Sequence, residues 1–405
     1  MKIGLFTDAY LPEISGVTIL VRRLRDELAR LGHTVYVYAP KYDEPSDDEE
    51  RVFRYRAGPV FSYRTARMAV PYSREATKSF SELDVVHSHT PFSLAYAAFT
   101  AAYRHRLPHV QTYHTYLSQY RHYVPRVFRP SVRGAERYSA LLCNRCTVIT
   151  VPTSSIRDEL VRFGVRRSIH VLPFGPDVRH YAATPTWDVR GTLGIAPEAP
   201  LCMYAGRLAE EKNLDFVLRS FGKIHLQIPE AQMVFSGDGP SRAGLEARAA
   251  SMGLSGAVHF AGFLSQERLI DMYKAADLFL FASKSETQGL VLVEAMAGRT
   301  PAVAVRAQGV CDVVENERNG YLVPEDEDAL AAQAVEILTS PDLHERLCEG
   351  ALESAAEVSV EASTERLVKI YERCYSKALT SRTFMRPRLR LRRAGKRTTK
   401  KRRYS

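Results

Sequence analysis

The hydrophobic positions in the first half of the chain form short continuous runs separated by longer stretches of helical spacing. Lys2–Thr7 and Thr34–Ala39 are apolar runs of strand length. Between them, apolar residues recur at the spacing of an amphipathic helix that Gly32 ends, namely Val17, Leu20, Val21, Leu24, Leu28 and Leu31. Further short runs predict strands at Asp84–His87, His109–Thr112 and Thr147–Val151. This succession predicts a mostly parallel sheet covered by helices on both faces.

The same pattern begins again after a break rich in turn-forming residues. The break comprises 171–176 and 185–200, which we interpret as an interdomain linker. Beyond it, strands are predicted at Leu201–Ala205, Met233–Ser236, Val258–Phe260, Leu278–Ala282 and Ala302–Val305, and helices from Leu214, Arg242 and Ser265. We therefore predict an α/β protein with two doubly wound domains, 1–176 and 177–360. An amphipathic C-terminal helix at 361–380 follows, which could return to the first domain.

The positive charge of the chain is concentrated in its last residues. The net charge is +10, but residues 381–405 hold twelve Arg or Lys and no acidic residue, so the rest carries −2. Close-packed like charges with Pro and Gly predict that this tail is disordered when free. Its only aromatic residues are Phe384 and Tyr404, and the near-neutral body offers no basic groove. Nucleic-acid binding is therefore not expected as the main role. An anionic membrane surface is an expected partner of the tail, and the alternative is that the tail is only a solubilising extension.

Cysteine usage and the N-terminal composition indicate the compartment. Six cysteines stand mostly within apolar stretches, which predicts reduced, buried thiols in a cytoplasmic protein. Cys143 and Cys146 have the spacing of a redox or zinc pair, but no second pair or histidine cluster completes a metal site. Asp8 interrupts the first apolar run, which argues against a secretory signal. No apolar run approaches the ~20 residues that span a bilayer, so any membrane contact is expected to be peripheral.

The strongest candidate for chemistry is the string Ser-Lys-Ser-Glu-Thr-Gln-Gly-Leu-Val-Leu-Val-Glu, which contains Glu286 and Glu294. A predicted strand leads into a loop, Gly289 permits a tight turn, and a helix begins. The positive end of that helix favours an anion, so a diphosphate could bind the amides of Gln288, Gly289 and Leu290. The carboxylates could bind ribose or sugar hydroxyls. Either glutamate alone would be explained better as a capping or solvated residue, but the complete string favours a ligand site.

Two glycine-containing turns follow other strands of the same predicted sheet. In Gly-Arg-Leu-Ala-Glu-Glu-Lys, the cations Arg207 and Lys212 are spaced so that both could contact one diphosphate. By itself such a pair is usually solvated. The turn Ser-Gly-Asp-Gly-Pro at 236–240 is a glycine-rich passage from strand to helix, and alone it is often no more than a turn.

In order and spacing, these three strings resemble those of the retaining GT-B glycosyltransferases of family 4, and the resemblance covers roughly residues 1–375. It implies two Rossmann-like domains that face a central cleft. It matches Glu286 and Glu294 to the family's paired glutamates, and Arg207 and Lys212 to its donor-phosphate loop. The other donor residues that it implies are Gly16 at the diphosphate, and Phe263 and Leu264 at the nucleobase. The family's Gly-Gly-Val is Ser-Gly-Val here, so only Gly16 is carried over.

Three further strings are similar to those of bacterial diacylglycerol glucosyltransferases and, as neighbours, phosphatidylinositol mannosyltransferases. They are Asp84–Phe92, Thr112–Tyr116 with Tyr120–Tyr123, and 287–289. The resemblance implies a lipid acceptor at the inner face of the cell membrane. It also places His114, which follows a strand, beside the sugar; His87 and His89 are interpreted as packing residues. Arg64 and Arg67 could contact acceptor or membrane, or could belong to an ordinary surface loop.

The resemblance implies transfer with retention of anomeric configuration from a UDP- or GDP-sugar. Arg207, Lys212 and two helix N-termini would stabilise the charge on the departing diphosphate, which would itself accept the proton of the acceptor hydroxyl. The donor loops contain no Asp-x-Asp string, and two cations could replace a metal, so neither metal nor other cofactor is expected. The alternatives are transfer to phosphatidylinositol or a soluble glycan, and a nucleotide-sugar epimerase, which would turn over the donor without an acceptor.

Overall fold

The computed structural model describes residues 1–13, 15–43, 50–60, 63–114, 130–284, 286 and 288–384. In the first half, the described strands are β1 (Lys2–Phe6), β2 (Thr34–Pro40), β3 (Val52–Tyr55), β4 (Ala57–Val60), β5 (Tyr63–Ala69), β6 (Val85–Ser88), β7 (His109–Thr112), β8 (Val148–Val151) and β9 (Ser168–Val171). Among these, β4 and β5 form an antiparallel hairpin, and the other seven form one parallel sheet in the order β3-β2-β1-β6-β7-β8-β9.

The helices of the first half cover this sheet. They are α1 (Gly16–Arg30), α2 (Arg74–Ser79), α3 (Ser93–His105), α4 (Val132–Arg145) and α5 (Ser154–Arg162). The predicted apolar stripe of α1 is the face that packs onto β1 and β2, because Leu20, Leu24 and Leu28 are buried there. Gly32 adopts a positive φ of 81°, as expected for a glycine that follows a helix end.

The second half repeats this arrangement around its own core. Its described strands are β10 (Leu201–Ala205), β11 (Gln232–Ser236), β12 (Val258–Gly262), β13 (Leu278–Phe281), β14 (Ala302–Val305) and β15 (Gly320–Val323), in the parallel order β12-β11-β10-β13-β14-β15. The helices are α6 (Val189–Leu193), α7 (Leu214–Gln227), α8 (Arg242–Ser251), α9 (Gln266–Ala275), α10 (Leu290–Ala297), α11 (Glu327–Thr339), α12 (Pro341–Glu357) and α13 (Val360–Phe384). The chain therefore has the predicted α/β architecture of two Rossmann-like parallel-sheet domains.

The chain passes between the two domains near residue 176 and again near residue 359, and hydrogen bonds join these two segments. The amide of Gly175 donates to the carbonyl of Val358 at 2.6 Å, and the amide of Val360 donates to the carbonyl of Pro176 at 3.1 Å. The segment predicted as a linker, 185–200, lies on the second domain instead. Its residues Val189, Ile195 and Ala199 enter that core, since the turn-forming residues on which the prediction rested also begin and end the short helix α6.

The last helix returns to the first domain. On α13, buried Leu367, Ile370 and Tyr371 belong to the same hydrophobic core as the leucines of α1. The helix runs from 360 to 384, a few residues beyond the predicted 361–380 at its C-terminal end. In the described part of the chain, no helix combines the length and apolar character needed to cross a membrane. Most of the tail, from residue 385 on, lies outside the described residues.

Candidate functional site

A partly open pocket lies where the two domains meet. Helix α1 and the second-domain helix α10 both contribute to it, together with the segment that leaves β9. The lining residues are Gly16, Ile19, Leu20, Arg23, Phe174, Gly175, Leu290, Glu294 and Val360. The structure thus brings together three of the residues assigned to the donor, Gly16, Leu290 and Glu294, from opposite domains.

The first turns of two helices face this pocket. Ser15 caps α1 by accepting a hydrogen bond from the amide of Thr18 at 3.2 Å, and Gly16 then begins the helix. Before α10, Gly289 adopts a left-handed conformation with φ 64°, as its predicted turn requires. Helix N-termini concentrate unpaired N–H groups and partial positive charge. Two of them around one pocket make it suitable for an anion such as a diphosphate.

The side chain of Gln288 makes a contact that the sequence did not predict. Its side-chain amide donates to the carbonyl oxygen of Phe174 at 2.6 Å, and the side chain is buried. The residue before the α10 turn is therefore attached to the end of the first domain. Binding of a diphosphate by its backbone amide stays a prediction.

Glu294 lies against the first domain. One of its carboxylate oxygens is 3.6 Å from Nη2 of Arg23 on α1, and the other accepts from the Tyr273 hydroxyl at 3.5 Å. The side chains of Arg23 and Glu294 are each only 19% exposed. Burial raises the pKa of Glu294, while Arg23 opposes that rise. Arg23 was missed by the sequence reasoning because a single arginine on an amphipathic helix carries no signal of its partner.

The other predicted carboxylate pairs with a predicted cation. The ammonium of Lys212 and the carboxylate of Glu286 form an ion pair, and both side chains are mostly buried. Arg207 instead pairs with Glu211 at 2.6 Å, and its side chain is 63% exposed. A buried, charge-assisted pair holds its partners in one geometry. Lys212 and Glu286 are therefore prepositioned, whereas Arg207 is accessible to an incoming ligand.

The three loops at the carboxyl edge of the second sheet are joined by backbone hydrogen bonds. The amide of Gly206 donates to Ser236 at 2.9 Å, that of Leu208 to Asp238 at 3.0 Å, and that of Gly237 to Gly262 at 2.8 Å. Gly237 has φ 126°, and a Cβ there would overlap the carbonyl oxygen of Gly206. The glycine-rich turn thus has a structural role, because it supports the loop that carries Arg207 and Lys212.

This contact leads to a stability prediction. Gly237→Ala should destabilise the protein by about 1–3 kcal/mol, because alanine is strained at this φ and its Cβ displaces the loop beneath it. The matched control is Gly244→Ala on helix α8, where nothing lies within 4 Å of the added Cβ. That change should be neutral or stabilise by about 0.5–1 kcal/mol. Urea unfolding of both variants tests the contact; equal stability would contradict it.

The two residues assigned to the nucleobase are not alike. Phe263 is 86% exposed at the end of β12, and Leu264 is partly buried against the second-domain core. They follow Gly262, which the glycine-rich turn contacts. Their role at a nucleobase stays a prediction, with Phe263 accessible to a ligand and Leu264 largely occupied by packing.

Three histidines lie together at the carboxyl edge of the first sheet. His89 Nδ1 is 3.3 Å from His114 Nε2, and the two rings are nearly parallel with centroids 5.6 Å apart. His87 lies beneath them with its ring 4.1 Å from that of His89. Burial lowers the pKa of His114 to about 4, and it lowers those of His87 and His89 as well. All three imidazoles are therefore neutral near pH 7, and His114 is suited to hydrogen bonding rather than to providing a charge.

The residues suggested for acceptor or membrane contact are only partly described. Both stand on β5, but the side chain of Arg64 lies outside the described residues, and Arg67 pairs with Asp43. The tyrosines at 116, 120 and 123 also lie outside the described residues. Along the same hairpin and the loop after it, Met68, Val70 and Tyr72 are exposed.

Comparison with known proteins shows what kind of enzyme this site belongs to. The model of Glycosyltransferase Family 4 matches residues 14–180, and that of Glycosyl transferases group 1 matches residues 186–354. The Acholeplasma laidlawii alpha-monoglucosyldiacylglycerol synthase is 30% identical over 366 residues, which cover 87% of this chain and 92% of that protein. The chain belongs to the GT-B glycosyltransferases.

Other relatives of this glycosyltransferase include a second enzyme of that name and an enzyme named for a different sugar. The alpha-monoglucosyldiacylglycerol synthase of Streptococcus pneumoniae is 29% identical over 85% of the chain and 80% of its own length. The GDP-mannose-dependent alpha-mannosyltransferase of Corynebacterium glutamicum is 27% identical over 87% of the chain and 84% of its own length. These relatives make the protein a hexosyltransferase and decide against the epimerase alternative.

Solved structures agree on the fold. Sucrose-phosphate synthase from Thermosynechococcus elongatus superimposes with a TM-score of 0.72 at 23% identity, over 93% of this chain and 99% of that one. Anabaena HepE in complex with UDP superimposes with a TM-score of 0.73 at 19% identity, over 92% and 100%. The GT-B arrangement predicted from the resemblance is confirmed.

Asp8 is a structural residue of the glycosyltransferase that the sequence reasoning used only to exclude a signal peptide. Its carboxylate accepts hydrogen bonds from the hydroxyls of Thr90 and Ser93 at 2.6 and 2.5 Å and from the amide of Leu94 at 3.0 Å. It thereby caps α3, whose own N-cap residue offers no side-chain bond. Burial nevertheless raises the pKa of Asp8.

The cysteines of the glycosyltransferase are free thiols. All six are unpaired, and five are buried as predicted, but Cys311 is exposed because it stands in the loop after β14. Burial raises the pKa of Cys143 to about 12, so this thiol is unreactive. In the part of the chain that the structure describes, no three His, Cys, Asp or Glu side chains converge in the manner of metal ligands.

Proposed function

We propose that the enzyme transfers a hexose from a nucleoside diphosphate sugar to a lipid acceptor such as diacylglycerol, with retention of anomeric configuration. The proposal is supported by the similarity to two alpha-monoglucosyldiacylglycerol synthases along 85% and 87% of the chain. The structural observation that carries it is the pocket between the domains, because two helix N-termini and a buried carboxylate surround one space.

The diphosphate is the group whose charge increases as the sugar leaves. Lys212, Arg207 and the first turns of α1 and α10 would stabilise that charge, and they act most strongly where the closed cleft excludes water. Lys212 is already ion-paired with Glu286. A bound diphosphate would compete with Glu286 for the ammonium. Its carboxylate would then be available to the hydroxyls of the sugar.

The remaining residues would bind other parts of the donor and the acceptor. Glu294, within the pocket, would accept hydrogen bonds from the ribose hydroxyls, and Phe263 would cover the base. His114, uncharged at neutral pH, would hydrogen-bond the sugar or the acceptor hydroxyl. The leaving phosphate would accept the acceptor's proton on the same face of the sugar, which is why configuration would be retained. Two cations supply the positive charge that a metal would otherwise provide, so we propose that no metal is required.

A panel of substrates tests the proposal. Purified enzyme is incubated with UDP- and GDP-sugars, each with diacylglycerol, phosphatidylinositol or a soluble glycan, with and without a chelator. We expect a hexose on diacylglycerol, an α-linkage by NMR from an α-donor, and the same rate with chelator. Mannosyl transfer to phosphatidylinositol would instead favour the second candidate, which the Corynebacterium relative supports. A β-linked product from an α-linked donor would contradict retention.

A peripheral membrane location leads to a prediction about the tail. A lipid acceptor requires docking, and polybasic segments gain roughly 1 kcal/mol per cation near an anionic leaflet. Removing 385–405 deletes eleven of the tail's cations and leaves α13 whole. We expect weaker sedimentation with phosphatidylglycerol vesicles at low salt but unchanged activity on detergent-solubilised acceptor. Vesicles of phosphatidylcholine alone are the control. Equal binding of both proteins to the anionic vesicles would show that the tail is not the anchor.

A further inference from the structure

We propose that Tyr371, on the last helix, is a positioning residue for His114 and acts through His87 and His89. The residue stands 257 positions after His114 in sequence, and α13 brings it to the carboxyl edge of the first sheet only by returning from the second domain. The proposal rests on the proposed function, since it concerns how the histidine assigned to the sugar is oriented.

The first step of the connection is a pair of hydrogen bonds that hold the ring of His87. The Tyr371 hydroxyl lies 2.5 Å from Nδ1, and the Thr112 hydroxyl lies 2.6 Å from Nε2. Thr112 in turn lies 2.6 Å from the hydroxyl of Thr150. Tyr371 and His87 are both fully buried. With a hydroxyl on each ring nitrogen, His87 can neither flip nor rotate without losing a bond that no water can replace.

The second step runs from His87 to His114. The ring centroids of His87 and His89 are 4.1 Å apart, so the two rings are in contact. The position of His87 therefore limits the orientation of His89. Nδ1 of His89 is in turn hydrogen-bonded to Nε2 of His114 at 3.3 Å. Its own Nε2 is buried and has no hydrogen-bond partner among the described residues. The orientation of His89 therefore depends on His87 on one side and His114 on the other.

Neutrality links the tautomer of His89 to that of His114, because a hydrogen bond joins these two rings. Desolvation keeps all three imidazoles uncharged, and a neutral imidazole carries one N–H. Of His89 Nδ1 and His114 Nε2, one must donate and the other accept. This choice determines whether Nδ1 of His114 offers a proton or a lone pair to a substrate. Loss of the Tyr371 hydroxyl would release His87 and thereby loosen that choice.

The competing explanation is that Tyr371 only attaches α13 to the first domain. A matched pair of variants separates the two. Tyr371→Phe removes one buried hydroxyl beside the histidines. Tyr38→Phe removes one that is bonded to Ser79 at 2.6 Å, in the same domain and among other residues. Each variant loses one neutral hydrogen bond of a fully buried tyrosine, so their effects on stability should be similar.

The first measurement is the tautomeric state of the histidines by ¹⁵N NMR of full-length protein labelled at histidine. We expect Tyr371→Phe to change the ring-nitrogen shifts of His87, His89 and His114, and Tyr38→Phe to leave them unchanged. Unchanged shifts at His89 and His114 in Tyr371→Phe would overturn the proposal. If Tyr371→Phe does not fold, Thr112→Val removes the other hydroxyl on His87 and is interpreted in the same way. This measurement stands whether or not the acceptor is a lipid.

The second measurement is kinetic, with UDP-glucose and diacylglycerol as substrates or with whichever pair the panel identifies. We expect Tyr371→Phe to lower kcat by about three- to tenfold at unchanged KM for the donor, the factor that one neutral hydrogen bond gives. Combined with His114→Ala, it should cause no further loss. Multiplying effects in the double variant would show that Tyr371 does not act through His114. Failure of the wild type on diacylglycerol would refute the lipid acceptor and leave the histidine connection to the NMR result.

Discussion

Replacing Lys212 by alanine should lower kcat/KM by about 30- to 1000-fold while the protein stays folded. In the closed cleft, one charge-assisted contact to a developing oxyanion is worth about 2–4 kcal/mol. Lys212 is mostly buried and paired with Glu286, so a diphosphate that displaces this carboxylate meets an ammonium already held in one position. Arg207→Ala should be less severe but at least tenfold, because that side chain is largely exposed and pairs with Glu211. Steady-state kinetics with the identified donor, together with circular dichroism, provide the measurement.

The matched control for Lys212 is Lys284→Ala. Lys284 belongs to the same domain, and its ammonium pairs with Glu325 at 2.8 Å, but both side chains are exposed. Exposed pairs contribute little, and no donor contact is assigned to this one, so turnover should be nearly normal. Lys212→Arg keeps the charge and should recover part of the activity. Near-normal turnover in both Lys212→Ala and Arg207→Ala would refute the phosphate role of this loop.

Glu294→Gln should weaken the binding of the free nucleotide by about ten- to 100-fold. A hydrogen bond to a charged group is worth about 1.5–3 kcal/mol, and the amide cannot replace the carboxylate on two ribose hydroxyls. Because burial raises the pKa of Glu294, protonation of the wild type begins at a higher pH than for an exposed glutamate. Nucleotide affinity should therefore be highest above that raised pKa, where Glu294 is ionised. It should decrease as the pH falls through the pKa and the carboxylate becomes protonated. The variant should lack this pH dependence.

Isothermal titration calorimetry with UDP and GDP across the pH range measures both effects. The control is Glu345→Gln, the same chemical change at an exposed glutamate that pairs with Arg299 on the same domain. That variant should bind nucleotide as the wild type does. Equal nucleotide affinity in Glu294→Gln and the wild type would exclude the ribose role of this residue.

Local patterns were sufficient for most of the central strands and for the beginnings of several helices. The apolar runs at His109–Thr112, Leu201–Ala205 and Ala302–Val305 are strands with the predicted bounds, because strands buried on both faces are recognisable as continuous hydrophobic runs. The edge strands β3, β9 and β15 were missed. They are only partly buried, so their mixed composition resembles that of loops.

The candidate site shows the same division. Residues within one string, such as Gly289 and Glu294, could be proposed together because a strand, a turn and a helix determine their spacing. No local pattern could show that Arg23 meets Glu294, or that Lys212 pairs with Glu286. Those contacts arise when separate elements pack. The sequence between two such residues does not indicate how far apart their side chains lie in the folded protein.

Tyr371 is the clearest instance of that limit. In the sequence it is one apolar position of an amphipathic helix, and any core tyrosine would give the same pattern. Its hydrogen bond to His87 spans 284 residues and exists only because α13 crosses back to the first domain. Gly237 is similar, since its positive φ suits any turn, while the need for glycine comes from the carbonyl of Gly206 beside it. Composition and periodicity therefore determined the two-domain α/β fold, and long-range packing alone decided which side chains meet in the cleft.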